Sequence, residues 1–507
     1  RAAACPARGC RWRTLRAVLS AGKRIRDYEV WGRLGGGGMG DVWLARHVVL
    51  GTPVIIKTLR AELGGSPQER AERVVTEARL MARINSPHVV RALDVGSAGE
   101  VPYVVQEYID GIDLNELDHA RRQALGLGLP LWFVCDAAAQ VAKGLRASHQ
   151  YGVLHRDLKP SNLFGSVDGT VKLGDFGVAV PTQLSEKRLC GSAGTLRFMA
   201  PEALKREALD RRSDVYGLGA TIYDLRYGSP PFLDIHEILD TPDEARFPPA
   251  PSASEASFQY VVAKMLAKDR NHRSSDLSEP DRALAALAET TRRSLRAMKV
   301  KDGAIALDRL QVVTEASDIA QASVDAIVNS ANWQLSMRTG VGESLRRAGG
   351  DEIEDEAISH GEQPLGACVA TGPGRLHCRR VLHAVSAWEE ASCVGRAMQR
   401  VLLVAERLGL RRLAMPALGT GAARVTLEVA AQAQASALRW HLSLGGSRIE
   451  EVRFILYDDA KLRIFRDVLE SELFGQHGDS VLDSGLAGQD RDTADATAPT
   501  MVDPRKT

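Results

Sequence analysis

Between Gly35 and Gly177 five short polar motifs follow one another in fixed order, each at the end of an apolar run or on an inward helix stripe. The first, Gly35-Gly36-Gly37-Gly38-Met39-Gly40, has apolar residues on both sides and reads as a strand–turn–strand. Lys57 ends the strand run Val54-Ile55-Ile56. Glu77 lies on a helical stretch, 71–84, with Val74 and Met81 at i−3 and i+4, which puts it on the inward stripe. A carboxylate there needs a cation, because desolvating it alone is costly, and Lys57 is the available one. His155-Arg156-Asp157 follows the apolar Val153-Leu154 and opens a loop that reaches Asn162; Asp175-Phe176-Gly177 closes the series. From Tyr28 the pattern is β-rich, and it turns helical after Ala71.

At 507 residues the chain is too long for one core, and two or three domains are expected. A formal net charge of +1 gives no bulk electrostatic reason to expect nucleic acid. No run approaches the roughly 20 apolar residues that span a bilayer, so no membrane span is expected. The basic lead, 1–24, lacks an apolar signal core, and the reading is a flexible segment on a cytoplasmic protein. The chain opens at Arg1 and not at methionine, which reads as an incomplete start. Seven scattered cysteines with no Cys-x-x-Cys pair exclude a disulfide framework and structural zinc. Among them Cys190 is a small apolar filler before it is a redox-sensitive thiol.

The motifs add up to one chemistry. Glycines let backbone N–H groups approach phosphate oxygens, lysine supplies a cation, Asp157 a proton acceptor, and Asn162 and Asp175 oxygen ligands for a hard cation. Singly, the glycines are a surface turn, the lysine a snorkelling side chain and His-Arg-Asp a solvated turn. Their order and spacing make a site for phosphoryl transfer from ATP. The chain resembles a Hanks-type (eukaryotic-like) bacterial serine/threonine protein kinase from about Tyr28 to Arg273. The resemblance implies a two-lobed α+β fold and the cofactors ATP and Mg²⁺. It implies that Gly35, Gly37, Gly40 and Val42 cover the nucleotide, that Lys57 and Glu77 pair to hold the α/β-phosphates, and that Asn162 and Asp175 hold the metal. Asp157 would accept the substrate hydroxyl proton and Lys159, a mark of the serine/threonine subclass, would steady the γ-phosphate. Backbone groups of Glu107 and Tyr108 would meet adenine behind the polar gatekeeper Gln106. Glu202 should pair with Arg273 and Asp214 should cap the catalytic loop. Arg156 implies an ordering phosphate on the loop between Asp175 and Pro201, with Thr182, Ser185, Ser192 and Thr195 as candidates and Ser192 preferred. Substrates would be proteins phosphorylated on Ser or Thr.

After Leu310 short apolar runs alternate with helical stretches 341–358, 393–408 and 426–443, the pattern of a layered α/β sheet. A buried strand running into Gly419-Thr420-Gly421 and then a helix makes an anion-binding turn. Ser317-Asp318-Ile319, Val324 to Asn332, Gly340-Val341, Pro364-Leu365-Gly366, His383-Ala384-Val385 and Pro416 to Gly421 resemble a macro domain, the α/β/α three-layer fold that binds ADP-ribose. The resemblance implies that Asp318 meets the adenine amino group, Asn332 the distal ribose, and Gly340, Val341, Gly419, Thr420 and Gly421 the diphosphate. Tyr457 or Phe454 would stack on adenine, worth about 1–3 kcal/mol, with Phe454 the better core residue. Hydrolysing members carry a catalytic aspartate where this chain has Gly342, and three loop glycines are replaced, so a reader of ADP-ribose or ADP-ribosylated protein is expected over a hydrolase. The divisions read as 1–24 lead, 25–298 kinase, 299–305 linker, 306–473 macro domain and 474–507 disordered tail, with a helix over 281–298 that carries Leu284, Leu287 and Leu295 as the last of the kinase domain. The rival readings are a pseudokinase scaffold with a reader module and an ADP-ribosyl hydrolase regulated by the kinase.

Overall fold

The computed structural model describes residues 19–20, 22–37, 40–58, 75, 78–79, 81–99, 101–176, 196–240, 244–300, 304–388, 391–421 and 424–474. The lead 1–18, Glu77, Gly177, the four candidate phosphosites with Cys190, and the tail from 475 lie outside these residues.

The chain begins with an antiparallel six-stranded sheet of β1 (Arg24–Ile25), β2 (Tyr28–Gly37), β3 (Gly40–His47), β4 (Pro53–Thr58), β5 (Ala92–Ala98) and β6 (Val101–Glu107), in the order β1-β2-β3-β4-β6-β5. The two-residue period of β4 sends Val54, Ile56 and Thr58 to one side. There Val54 and Ile56 pack with Val30, Trp43, Ala45, Tyr103 and Val105. The same period turns Ile55 and Lys57 to the opposite face. Val42 opposes Lys57, and Ile55 stands between Leu44 and Gln106.

A short strand β7 (Gly111–Asp113) leads into the helical lobe: α1 (Leu114–Leu125), α2 (Leu131–Gln150), β8 (Leu163–Ser166), β9 (Val171–Leu173), α3 (Pro201–Leu204), α4 (Arg211–Tyr227), α5 (Ile235–Leu239), α6 (Ala253–Met265) and α7 (Ser278–Thr291). Strands β7, β8 and β9 pair antiparallel, and Val89 bridges to Leu173. Local chemistry sets the helix ends. Asp113 and Asp210 accept the first-turn amides of Glu116 and Arg212, while Gly126 and Gly228 end their helices at φ 69° and 83°. Helix α2 is apolar on several sides because α4 and α7 enclose it.

The second sheet contains β10 (Ala297–Lys299), β11 (Ile305–Leu307), β12 (Leu310–Ala316), β13 (Ala326–Ala331), β14 (Cys368–Thr371), β15 (Arg380–Val385), β18 (Arg412–Met415) and β19 (Glu451–Leu456). A separate hairpin, β16 (Ala387–Trp388) and β17 (Ala391–Ser392), follows β15. The order is β10-β11-β12-β19-β18-β13-β15-β14, parallel from β12 to β15 and antiparallel at both edges. Helices α8 (Gly340–Gly349) and α9 (Glu352–Ser359) cover one face; α10 (Val394–Leu408), α11 (Leu427–Ser443) and α12 (Asp459–Phe474) cover the other. Adjacent residues such as Ile327 and Val328, or Val381 and Leu382, enter opposite cores, as a parallel sheet buried on both faces requires. This is the expected three-layer architecture.

Three expectations need correction. The helix read across 281–298 stops at Thr291: Arg292 turns extended, and Arg292 and Arg293 pair with Asp136 and Asp308 at 3.2 and 3.0 Å. Leu295 packs against the core of the second sheet instead. The ends of the linker read at 299–305 belong to an edge pair of strands, since Ala297–Lys299 pairs with Ile305–Leu307 and the Val300 amide donates to Ala304 at 2.8 Å. The stretch 341–358 is also two helices, broken at Gly350 with φ 112°. Among the described residues no helix is long and apolar enough to cross a membrane.

Within the helical lobe Arg273 reaches both Glu202 oxygens, at 2.7 and 3.0 Å, and both side chains are buried. Removing one partner strands a charge in the core. Arg273→Ala is therefore expected to destabilise this lobe by about 3–5 kcal/mol, read as a lower midpoint in chemical denaturation; a shift under about 1 kcal/mol would mean that the pair is solvated.

Candidate active site

The loop after α2 is fixed by one buried carboxylate. Asp214, on α4, accepts the backbone N–H of His155 at 2.9 Å and of Arg156 at 3.0 Å, and its Oδ2 also meets His149 Nε2 at 2.7 Å. Burial works to raise the Asp214 carboxyl, but these partners outweigh it and hold it below the usual range. Arg156 sits at φ 65°, a conformation costing a non-glycine residue about 1–2 kcal/mol. The turn sends Asp157 into the cleft. Burial lowers His155, whose Nε2 lies 3.0 Å from the Gly174 carbonyl, while the Gly174 amide donates to Asn162 at 2.9 Å. The loop and the segment bearing Asp175 are thus stitched edge to edge.

Two clusters of polar contacts then line the cleft. Lys57 Nζ pairs with Asp175 Oδ1. Lys159 Nζ lies 2.8 Å from Asp157 Oδ2, and Asn162 Nδ2 donates to the Asp157 carbonyl at 2.7 Å and to Oδ2 at 3.1 Å. Burial pushes Asp175 up, yet Lys57 first, then His155 and Lys159, hold it low. Lys57, Asp157, Lys159, Asn162 and Asp175 therefore occupy one site. The expected partner of Lys57, Glu77, lies outside the described residues; the contact with Asp175 was missed because nothing local in sequence connects residues 118 positions apart.

The donor chemistry suits a magnesium nucleotide. Among the described residues Asp157 Oδ1 is buried with no hydrogen-bond partner, an acceptor awaiting a donor. The Asn162 amide nitrogen is spent on Asp157, which presents its oxygen; with Asp175 this makes an all-oxygen set for a hard cation. Gly35, Gly37, Gly40 and Val42 lie on β2 and β3, with Gly35 paired to Val42. Gly40 has φ 158°. At the lobe junction the Glu107 carboxylate holds Lys172 Nζ at 2.8 Å, and the Glu107 amide donates to Arg91 at 3.0 Å. The Tyr108 hydroxyl donates to Asp110 at 3.4 Å, and burial raises its pKa well above normal.

In the second domain the strand order reverses between β13 and β18, so the loops at their carboxyl ends frame a crevice. Asn332 and the Gly419 turn lie there; Gly340 and Val341 open α8 nearby. Asn332 Oδ1 accepts the amides of Gln334 and Ser336, both at 3.1 Å, and so shapes its own loop. Asp318 caps a short turn at Ala320 and accepts from Ser344 at 3.1 Å. The Gly419 amide, at φ 77°, donates to Ser330 Oγ at 3.2 Å, and Thr420 Oγ1 donates to Ala417 at 2.9 Å. Gly421 follows at the end of this turn. Phe454 is a core residue, 5.3 Å from Phe465, whereas Tyr457 is 89% exposed at the strand end. A Cβ on Gly342 would stand 3.2 Å from Asn329 Oδ1 and Met337 Cα.

Comparison with known proteins agrees with both architectures. The protein kinase domain family matches residues 28–286 and the macro domain family residues 328–434. The first match spans half the chain, and the chain belongs to the protein kinase family; it carries a macro domain behind the kinase domain. It is 34% identical over 263 residues to serine/threonine-protein kinase PknB of Mycobacterium leprae, covering 50% of this chain and 41% of that protein. It is 33% identical over 323 residues to serine/threonine-protein kinase Pkn1 of Myxococcus xanthus, covering 60% of this chain and 45% of that protein. The chain thus spans less than half the length of these relatives. The crystal structure of the Mycobacterium tuberculosis PknI kinase domain is 28% identical, with TM-score 0.41, covering 53% of this chain and 99% of that one.

Below the crevice, His383 Nε2 lies 2.9 Å from Thr371 Oγ1, and Nδ1 lies 3.2 Å from Asn329 Nδ2. Burial pushes His383 down to about 4. Between its unfolded value near 6.5 and about 4 the unfolded chain binds a proton that the folded chain refuses, so stability is lost as pH falls through that window. Thermal unfolding from pH 7 to 4.5 should show a steeper fall for the wild type than for His383→Gln; equal slopes would show that His383 is protonated in place.

Proposed function

We propose that this protein is an ATP- and Mg²⁺-dependent protein kinase acting on Ser or Thr, with a macro domain that binds ADP-ribose or a related nucleotide without hydrolysing it. The observation that carries the first half is the meeting of two polar clusters in one cleft, Lys57 with Asp175 and Asp157 with Lys159 and Asn162, joined by the Gly174 amide's bond to the Asn162 carbonyl. Asn162 and Asp175 would hold Mg²⁺, which when bound neutralises charge on the transferred phosphoryl group. The glycine-rich strands would lie over the phosphates and Lys57 would exchange Asp175 for phosphate oxygens. Asp157 Oδ1, without a hydrogen-bond partner among the described residues, would orient the substrate hydroxyl and take its proton, while Lys159 offsets the charge that gathers there. Glu107 and Tyr108 would meet adenine through their backbone.

The kinase unit is assigned to Arg24–Thr291 and the macro unit to Ala297–Phe474. The crevice between β13 and β18 supports nucleotide binding by the macro unit, with Asp318, Asn332, Gly340, Val341, Gly419, Thr420, Gly421 and Tyr457 as its residues. Gly342 offers no side chain to activate water, which favours a reader over a hydrolase.

Asp157→Asn in the full chain is expected to lower phosphoryl transfer to a generic protein substrate by about 10²–10⁴-fold while leaving Mg-ATP affinity within about threefold. The check is labelled-phosphate transfer beside a calorimetric titration. Transfer at the wild-type rate would remove Asp157 from the chemistry.

A further inference from the structure

The macro domain packs across both kinase lobes at the hinge side of the cleft. On the small lobe, Trp31 and Leu44 are buried in one apolar cluster with Leu34, Ile55 and Tyr108, and the rest of that cluster comes from the macro domain, including Leu335, Leu365 and Cys393. On the large lobe, Glu116 of α1 pairs with Arg400 of α10 at 2.5 Å, and Arg121 donates to the carbonyls of Leu444 and Gly445 at 3.1 and 3.0 Å. Trp440 meets Phe133 edge-on at 5.7 Å. Between the two patches, just after the hinge, the Asp110 carboxylate accepts the amides of Gly395 and Arg396 at 2.9 and 2.8 Å. These are first-turn donors of α10, left without partners inside their own helix.

The small-lobe patch is on the wrong side of the sheet for a passive tether. Ile55 is two residues before Lys57 on β4 and shares its face, and it stands opposite Gln106 of the hinge strand. Leu34 immediately precedes Gly35. On the kinase reading of the site, on which this inference rests, Leu34, Ile55 and Tyr108 are the surface an adenine ring must slide beneath. Here that apolar surface is consumed by the macro domain. A body fixed to both lobes also resists the opening that nucleotide exchange requires.

We propose that the docked macro domain is an autoinhibitory clamp: it shares the roof and hinge of the adenine site, so docking and nucleotide binding compete. Apparent nucleotide affinity is then reduced by the fraction of molecules in which the clamp is closed.

Variants at the interface separate the clamp from the cleft. Arg400→Glu puts two carboxylates face to face at the α1–α10 contact, and adding Glu116→Arg restores an opposite-charge pair. Gly395→Val cannot dock unaltered, because a Cβ there would stand 2.7 Å from Val167 Cγ1 and 2.8 Å from Asp110 Oδ2. Full-length proteins are titrated with Mg-ATP, with hydrogen exchange on α1 and α10 reporting release and on β13 and β15 reporting that the macro core is intact. Arg400→Glu and Gly395→Val should bind Mg-ATP more tightly by about 5- to 150-fold, and the charge-swapped pair should return to the wild-type value. Equal affinity in all four proteins, with exchange showing α10 released in the single variants, overturns the clamp and leaves the kinase reading standing. Binding in none of them removes both.

Discussion

One buried carboxylate organises the cleft. Asp214 costs free energy to bury, and it is tolerated because backbone amides of His155 and Arg156 and the ring of His149 all face it. Those amides belong to the loop that carries Asp157 and Asn162, so satisfying one charge fixes both side chains of the proposed site. The left-handed turn at Arg156 and the positive φ of Asp175, 52°, are strained positions that persist because surrounding bonds over-determine them. His155 extends the lattice to Gly174, and Gly174 to Asn162. Position in this cleft is a matter of backbone geometry set from below.

The same economy recurs in the second domain. A parallel sheet buried on both faces leaves its chemistry to the loops at the strand ends, and the order reversal between β13 and β18 decides which loops face each other. Ser330 ties β13 to the Gly419 turn and to Ser386 beyond β15, at 3.2 and 3.0 Å. A Cβ on Gly419 would meet Val394 and Val425, both at 3.0 Å, so the turn stays open only with glycine there. Val394 begins α10, whose next two amides reach Asp110 of the kinase domain. The crevice and the hinge are therefore neighbours across a single helix end.

Much of this was legible in residues. Lys57, Asp157, Asn162 and Asp175 stood out because each ends an apolar run or sits at a fixed interval from the next, whereas the pairing of Glu202 with Arg273 was legible only through the resemblance to protein kinases. The strands at 326–328, 381–382, 413–415 and 452–456 were visible as buried runs between helices. What periodicity could not show were contacts without local cause. Nothing near Asp110 announces that it accepts two amides 285 and 286 residues away. The end of α7 was misread because Leu295 keeps helical spacing with Leu284 and Leu287 while belonging to a different core. Ile55 looked like an ordinary strand residue until a second domain was found against it.

The most direct measurement is the phosphoryl-transfer rate of full-length Asp214→Asn beside its Mg-ATP affinity. An amide keeps the volume but loses the charge that gathers two backbone amides and an imidazole. The expected result is a rate lowered by about 10²-fold with nucleotide affinity within about threefold, the signature of misplaced catalytic groups in an intact cleft. A variant that transfers phosphate at the wild-type rate would contradict it.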